Sequence, residues 1–569
     1  MSYISFENKY DKFPTTKIKK DKCGFYGMIS EIISELAKFK KGIICFETYP
    51  GVDQAVLKEK LINKLNPDKI INVENYRLSY DEIDALIGRH LFNDRVFGLY
   101  SHHQIEDFYN LETISKVKKK INTDQLTVVY GFGAFLLGYD CLVMVSLTRW
   151  EIQLRYRNGL ANFTADNPDD DILLKYKRGY FIEWRVADRI KDRLNERFNY
   201  LLDYTVLSKP KMINKENYEL SLDQITKKPF RIVPYFDPGV WGGQWMKEVC
   251  LLDESEENFA WSFDGVPEEN SIRLGFGDDF IELPAQDLVL FRAKEFMGKR
   301  VLARFGKKFP IRFDFLDTIH GQNLSLQVHP QTDYIMETFG MTYTQDESYY
   351  FLDALDDAVC YVGFKKNINV DNFKNDLIKA NRGEIDFDDE LYINKIPVKK
   401  HDHLLLPAGT VHGSGKNSMV LEISSCVYIF TFKLWDWGRL GLDGLPRPVH
   451  LEHGFKNIDF SRDSDFIKNE CYNRFEKVND IEEITGLHEL EFIETRRYTI
   501  TDYYDIVTDN TVNVCNLVEG KSLMIESLDG SFDSFIVHYA ETFYIPATIS
   551  KFRFKALEGK CIVIRAKVR

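Results

Sequence analysis

The stretch Leu324-Ser325-Leu326-Gln327-Val328-His329-Pro330 decides how the second half of the chain is read. Taken as a strand it alternates: Leu324, Leu326 and Val328 face one side, and Ser325, Gln327 and His329 face the other. An amide oxygen and an imidazole then project side by side from a rigid element, which is half of a metal site. Candidates for the other half lie downstream, Glu347 in TQDESYYFLDA and His412 in LLLPAGTVHGSG. Two imidazoles, a carboxylate and a carbonyl oxygen suit zinc, with iron and manganese as alternatives. A lone histidine in an apolar strand is as readily a hydrogen-bonded core residue, but four donors in separate motifs with matching flanks favour the metal.

Around this stretch the chain has an all-β texture. FRIVPYFDPGVWGGQWM, NSIRLGFG, DFIELP, IRFDFLDT, ESYYFLDA, AVCYVGF and DHLLLPAGTVHG are short strands separated by Pro/Gly turns, with one helical insert near Val370 to Arg382. That spacing predicts a jelly roll of the cupin type over residues 230–470. Residues 471–569 repeat the texture: Ile545-Pro546-Ala547 matches Leu406-Pro407-Ala408, and His412 falls against Ser550 with one gap. A second cupin-like domain without metal ligands is expected there.

Residues 1–205 read differently, as alternating helix and strand: GIICFETYP, DRVFGLY, LTVVYGFGAFLL and DCLVMVSL as buried strands between charged helices. A doubly wound α/β domain is predicted, followed by a polar linker over 206–229. The loop after the first strand, Glu47-Thr48-Tyr49-Pro50-Gly51-Val52-Asp53-Gln54, stands where phosphates bind in such domains. It has one glycine, no lysine and no Ser/Thr ending. With the arginine-bearing TRWEIQLRYRNG and KYKRGYFIEWRVADRIKDR, this half resembles a small P-loop kinase that has lost its phosphate cradle, and Arg149, Arg155, Arg157, Lys177 and Arg178 are its candidate phosphate contacts.

WGG, LSLQVHP, DESYYFLDA, LLLPAGTVHG, VLEIS and WDWGRLGLDGLPRPVHLE occur in the order seen in class I mannose-6-phosphate isomerases, which residues 230–569 resemble. The resemblance implies a zinc ion held by Gln327, His329, Glu347 and His412, and interconversion of mannose 6-phosphate and fructose 6-phosphate through an enediol. It also implies an acid/base role for Glu422 and an oxyanion- or phosphate-holding role for Arg439, with Arg447 as a further phosphate contact and Trp241 as a pocket wall. His401, His403, His450 and His453 lie outside the ligand motifs. One departure stands out: where the family commonly has lysine two residues before the ligand glutamate, this chain has Gln345. Two alternatives accompany the isomerase expectation, a non-catalytic sugar-phosphate-binding regulator and a bifunctional protein with residual N-terminal phosphotransferase activity.

At 569 residues and 66.6 kDa the chain requires several domains. A formal charge of -13 argues against nucleic acid or anionic membrane as general partners; the resemblance implies a small-molecule sugar phosphate as partner, and the oligomeric state is open. Nine cysteines without a CxxC spacing, and an N-terminus without an apolar signal core, predict a reduced, cytoplasmic protein. Val128 to Leu147 is long enough to span a bilayer at ~20 residues, but Asp140 and three glycines divide it into two buried strands.

Overall fold

The computed structural model describes residues 3–19, 24–425, 428–442, 444, 447–486 and 488–569. The chain forms two compact units, one of Thr15–Ile225 and Pro267–Arg292, the other of Met1–Pro14, Thr226–Val266 and Ala293–Arg569.

The first unit is built on a seven-stranded sheet in the order Phe25–Tyr26, Lys211–Asn214, Tyr200–Asp203, Cys141–Ser146, Gly42–Thr48, Leu126–Gly131 and Lys69–Asn72. The five strands from Lys69–Asn72 to Tyr200–Asp203 are parallel, and Gly42–Thr48, the first of them in the chain, lies at their centre. GIICFET, LTVVYG and CLVMVS are buried at every residue, as the strands of a parallel sheet covered on both faces must be. Val128 to Leu147 is accordingly two strands joined by a 3-10 turn at Ala134–Leu137, and no helix among the described residues is long and apolar enough to cross a membrane.

Three expectations differ from the structure here. Residues 206–229 are not a plain linker, because strand Lys211–Asn214 and helix Lys215–Ile225 complete the sheet and its cover. Asp94–Tyr100 is not a strand: the Asp94 carboxylate accepts from the amides of Val96 and Phe97, both at 2.6 Å, and curls the backbone locally. NSIRLGFG and DFIELP are strands, Ser271–Phe276 and Asp279–Pro284, but they pair with each other and with Thr15–Lys17 and so belong to the α/β unit.

The second unit holds two antiparallel double-sheet sandwiches. In the first, a six-stranded sheet (His403–Leu406, Asp346–Ala354, Ser418–Ser425, Arg312–Asp317, Trp261–Gly265, Tyr235–Asp237) accompanies a five-stranded one (Ile393–Pro397, Val359–Phe364, His412–Ser414, Leu326–Val328, Phe432–Trp435). Leu316, Leu324, Tyr349, Phe351, Val362, Leu404 and Val420 form its core. The second sandwich pairs a six-stranded sheet containing Ile493–Ile500, Cys561–Val568 and Asn513–Glu519 with a four-stranded sheet containing Tyr503–Val507 and Lys551–Ala556. The insert near Val370 is helix Val370–Asn381, started by Asn369, whose side chain accepts from the Asn372 amide. Seven cysteines among the described residues are buried and unpaired; Cys23 and Cys426 lie outside the described residues.

Candidate metal centre

Strand Leu326–Val328 lies between His412–Ser414 and Phe432–Trp435, with Gln327 directly opposite His412. Opposed residues share a face, so Gln327, His329 and His412 project together from the five-stranded sheet. Glu347 comes from the other sheet, on Asp346–Ala354, opposite Ser424 on one side and Leu406 on the other. His329 Nε2 is 3.0 Å from Glu347 Oε2, and His412 Nε2 is 2.7 Å from Glu347 Oε1. One ligand atom from each of these three residues lies within 4.8 Å of the others, so the cluster could hold a metal ion. Gln327 adjoins it, its Nε2 3.3 Å from His412 Nε2.

The donor set fits a cation on grounds of hydrogen-bond polarity. His329 Nδ1 is 2.8 Å from the Phe430 carbonyl, and His412 Nδ1 is 2.8 Å from the Thr410 carbonyl. A carbonyl only accepts, so each Nδ1 carries the hydrogen, and a ring that is neutral turns a bare Nε2 lone pair toward Glu347. Two lone pairs and a carboxylate then face one another, all acceptors and all buried, and among the described residues His329 Nε2 and Glu347 Oε1 complete no hydrogen bond. Like polarity in a dry site is costly unless a cation sits among it. Burial alone would push Glu347 up; charge on the His329 and His412 rings, present only where they are protonated, would outweigh it and hold the carboxyl well below its ordinary range. Ser325 Oγ donates to Gln327 Oε1 at 3.2 Å; a half-turn of the amide keeps Ser325 as a partner and turns the oxygen toward His412.

Glu422 stands opposite Tyr349 and Asp314, and register puts it on the same inward face as Glu347. Burial, with the Glu347 and Asp314 carboxylates, pushes Glu422 well above the ordinary carboxyl range. Tyr349 lies on that face too; burial, then Glu347 and Glu422, keep its phenol neutral. Its ring meets His412 edge-on at 5.7 Å. Arg439 is bound to Asp436, through Nη2 to the carboxylate at 2.5 Å and Nε to the carbonyl at 3.2 Å, and its Nη1 completes no hydrogen bond among the described residues. Arg447 is 3.0 Å from the same carboxylate. Trp241 is 5% exposed and packs in the core of the first sandwich. His403 bonds Ser348, His401 bonds Tyr350, and His453 bonds Tyr334 and stacks on Phe432. Tyr349 escaped the sequence reading, although it stands two residues from Glu347, the spacing that shares a strand face.

The α/β unit treats its cations in the opposite way. Asp53 caps helix Gln54–Lys60, accepting from the Val56 amide at 3.0 Å, so a carboxylate occupies the position where a phosphate would sit. Arg155 bonds Glu151 and the carbonyls of Gly51, Tyr204 and Thr205. Arg149 lies over the Trp184 ring at 3.9 Å and pairs with Glu268 at 3.5 Å, and Arg185 reaches the same carboxylate at 2.5 Å. Lys191 pairs with Asp287 at 2.5 Å. Lys177 bonds the carbonyls of Leu91 and Phe92, Arg178 pairs with Asp84 at 3.0 Å, and Arg157 lies over Trp150 at 5.1 Å. The groups expected to meet phosphates therefore meet carboxylates, carbonyls and rings of their own unit.

A family model described as a domain of unknown function (DUF8485) matches residues 26–227. Mannose-6-phosphate isomerase ManA of Bacillus subtilis (strain 168) is 27% identical over 241 residues, 41% of this chain and 69% of that protein. The mannose-6-phosphate isomerase of Streptococcus mutans is 26% identical over 215 residues, 37% of this chain and 62% of its own length. Among solved structures, a mannose 6-phosphate isomerase from Bacillus subtilis aligns at 20% identity over 60% of this chain and 99% of that chain, with a TM-score of 0.48. In sequence, this chain is similar over part of its length, and at low identity, to mannose-6-phosphate isomerases.

Proposed function

We propose that the protein is a zinc-dependent aldose–ketose isomerase that interconverts mannose 6-phosphate and fructose 6-phosphate. The observation that carries this reading is the buried ring of acceptors formed by His329, Glu347 and His412, joined to the sequence similarity to isomerases of that name. In this reading the first sandwich is a catalytic cupin domain, the second is a cupin-like domain without ligands, and the partner is a small-molecule sugar phosphate.

Moving a carbonyl between C1 and C2 requires a proton to pass between those carbons and an oxyanion to be stabilised meanwhile. Gln327, His329, Glu347 and His412 would hold the zinc ion, which supplies Lewis acidity toward the sugar oxygens when bound. Glu422, on the inward face with Glu347, would exchange that proton. Arg439, with one guanidinium nitrogen lacking a hydrogen bond among the described residues, would hold the enediolate or the phosphate.

We infer that the α/β unit is a P-loop-kinase-like scaffold that no longer transfers phosphate. Its five parallel strands with the first at the centre support the likeness. The internal pairing of Arg149, Arg155, Lys177 and Arg178 argues against a phosphotransferase.

The test is full-length protein with mannose 6-phosphate in an assay coupled to fructose 6-phosphate formation. Turnover that a chelator abolishes and zinc restores is expected. Metal-loaded protein without turnover would sink the isomerase reading.

A further inference from the structure

Gln345 is buried two residues before Glu347 and makes two hydrogen bonds of opposite polarity. Its Nε2 donates to Glu347 Oε2 at 3.1 Å, and its Oε1 accepts from the Phe430 amide at 3.1 Å. The carbonyl of that same Phe430 accepts from His329 Nδ1 at 2.8 Å. His329 Nε2 in turn faces Glu347 Oε2 at 3.0 Å, which closes a ring. Two of the candidate metal ligands, from opposite sheets, are thereby linked through one side-chain amide and one backbone residue. The amide's orientation is fixed by its partners, because a backbone N–H only donates and an ionised carboxylate only accepts.

We propose that Gln345 is a positioning residue of the metal centre, setting the angle of the Glu347 carboxylate and, through Phe430, the tautomer and tilt of His329. Among residues of this reach, an amide is the one that serves both ends. A lysine at this position would donate to Glu347 but leave the Phe430 amide without its acceptor. A glutamate would accept from Phe430 and oppose Glu347 with a second carboxylate. An asparagine is one methylene too short to keep both bonds. Holding a ligating carboxylate and fixing which imidazole nitrogen carries the hydrogen are the two functions by which outer residues tune a metal site.

The inference rests on His329, Glu347 and His412 being a metal site and not on the isomerase reaction. Its test is therefore a binding and spectroscopic one on the full chain loaded with cobalt(II), whose visible bands report ligand geometry. Q345A, Q345K and Q345E are compared with the parent by chelator competition and by absorption. Q345A is expected to bind cobalt ~10–100-fold more weakly with altered bands. Q345K, which keeps only the bond to Glu347, should fall between Q345A and the parent, and Q345E should bind most weakly of all. Thermal unfolding of the metal-free proteins identifies a variant that has lost its fold, and the remaining variants then decide. Parent-like affinity and bands in the folded variants would overturn the proposal, as would a parent chain that takes up no cobalt. Weakened cobalt binding by the variants of a parent that turns over no mannose 6-phosphate would leave this proposal standing and remove the isomerase reading alone.

Discussion

The two sandwiches each have a Pro-Ala turn closed from the proline carbonyl and diverge in what the following strand turns inward. In the first, the Pro407 carbonyl accepts from the Thr410 amide at 3.1 Å; in the second, the Pro546 carbonyl accepts from the Ile549 amide at 3.0 Å. After the first turn comes His412, buried against Glu347. After the second comes Lys551–Ala556, where Phe552 and Phe554 are completely buried among Leu517, Leu523, Ile525 and Phe543. Each Pro-Ala turn delivers a strand to the same kind of place, and the inward residues decide whether the interior becomes a polar site or a filled core. A buried acceptor ring needs a cation, whereas an aromatic interior needs only its own volume.

The largest effect should come from breaking the polar interior. His412→Ala removes one ring and leaves Gln327, His329 and Glu347 with a single imidazole among them, a set expected to lose zinc. Loss of bound metal and a fall in turnover of ~10⁴-fold, worth about 5 kcal/mol, are expected. Metal analysis and the coupled assay on one preparation check this; retained stoichiometric zinc would separate His412 from the site.

Next in size is the opposite lesion in the filled interior. Phe554→Ala empties a fully buried site and should cost about 3–5 kcal/mol in chemical denaturation. Its zinc content should remain that of the parent. Metal loss at the same protein concentration would show that the second sandwich helps to hold the site, and the comparison would fail.

How much of this could be read in advance follows the range of the forces involved. Ser325, Gln327 and His329 alternate along one strand, so the shared face of two ligands is visible in seven consecutive residues. The cation pairing in the α/β unit is not visible, because Glu268 and Asp287 are more than 80 residues from Arg185 and Lys191 and meet them only through the fold. Strands Ser271–Phe276 and Asp279–Pro284 were legible as strands yet not as members of the α/β unit, since alternation reports a buried face without saying what buries it. Asp94–Tyr100 failed for the opposite reason: a local side-chain-to-backbone bond overrode β-prone composition. Gln345 was legible as a departure, but the ring it closes with Phe430 and His329 spans 85 residues from Gln345 to Phe430 and needed coordinates.

A smaller effect separates the sandwiches by pH. His403 begins the strand before the first turn, where the second sandwich has Thr542. Burial pushes the His403 imidazole down to about 3, and its Nε2 meets Ser348 Oγ at 2.9 Å. A histidine lowered in the folded state is neutral there while the unfolded chain takes up a proton near 6.5, so its stability is full above that pH and is lost as pH falls toward 3. From pH 7 to pH 5 this amounts to about 2 kcal/mol. Denaturant midpoints across that interval should fall for the parent and fall less for His403→Gln, whose own cost is the same at each pH. Parallel curves would show that His403 does not titrate as its burial requires.

The smallest expected effect tests whether the turn could carry a ligand in the second sandwich at all. Ser550 occupies the position aligned with His412, but it is exposed, and its carbonyl accepts from the Thr508 amide, a bond that any side chain permits. An imidazole placed there faces solvent, while the inward positions two and four residues on are Phe552 and Phe554. Ser550→His should therefore shift stability by no more than about 0.5 kcal/mol and bind no zinc beyond the parent's content. A second equivalent of zinc in that variant would mean that the turn, rather than the inward face of the strand, makes the site. The contrast between the two interiors would then reduce to a single side chain.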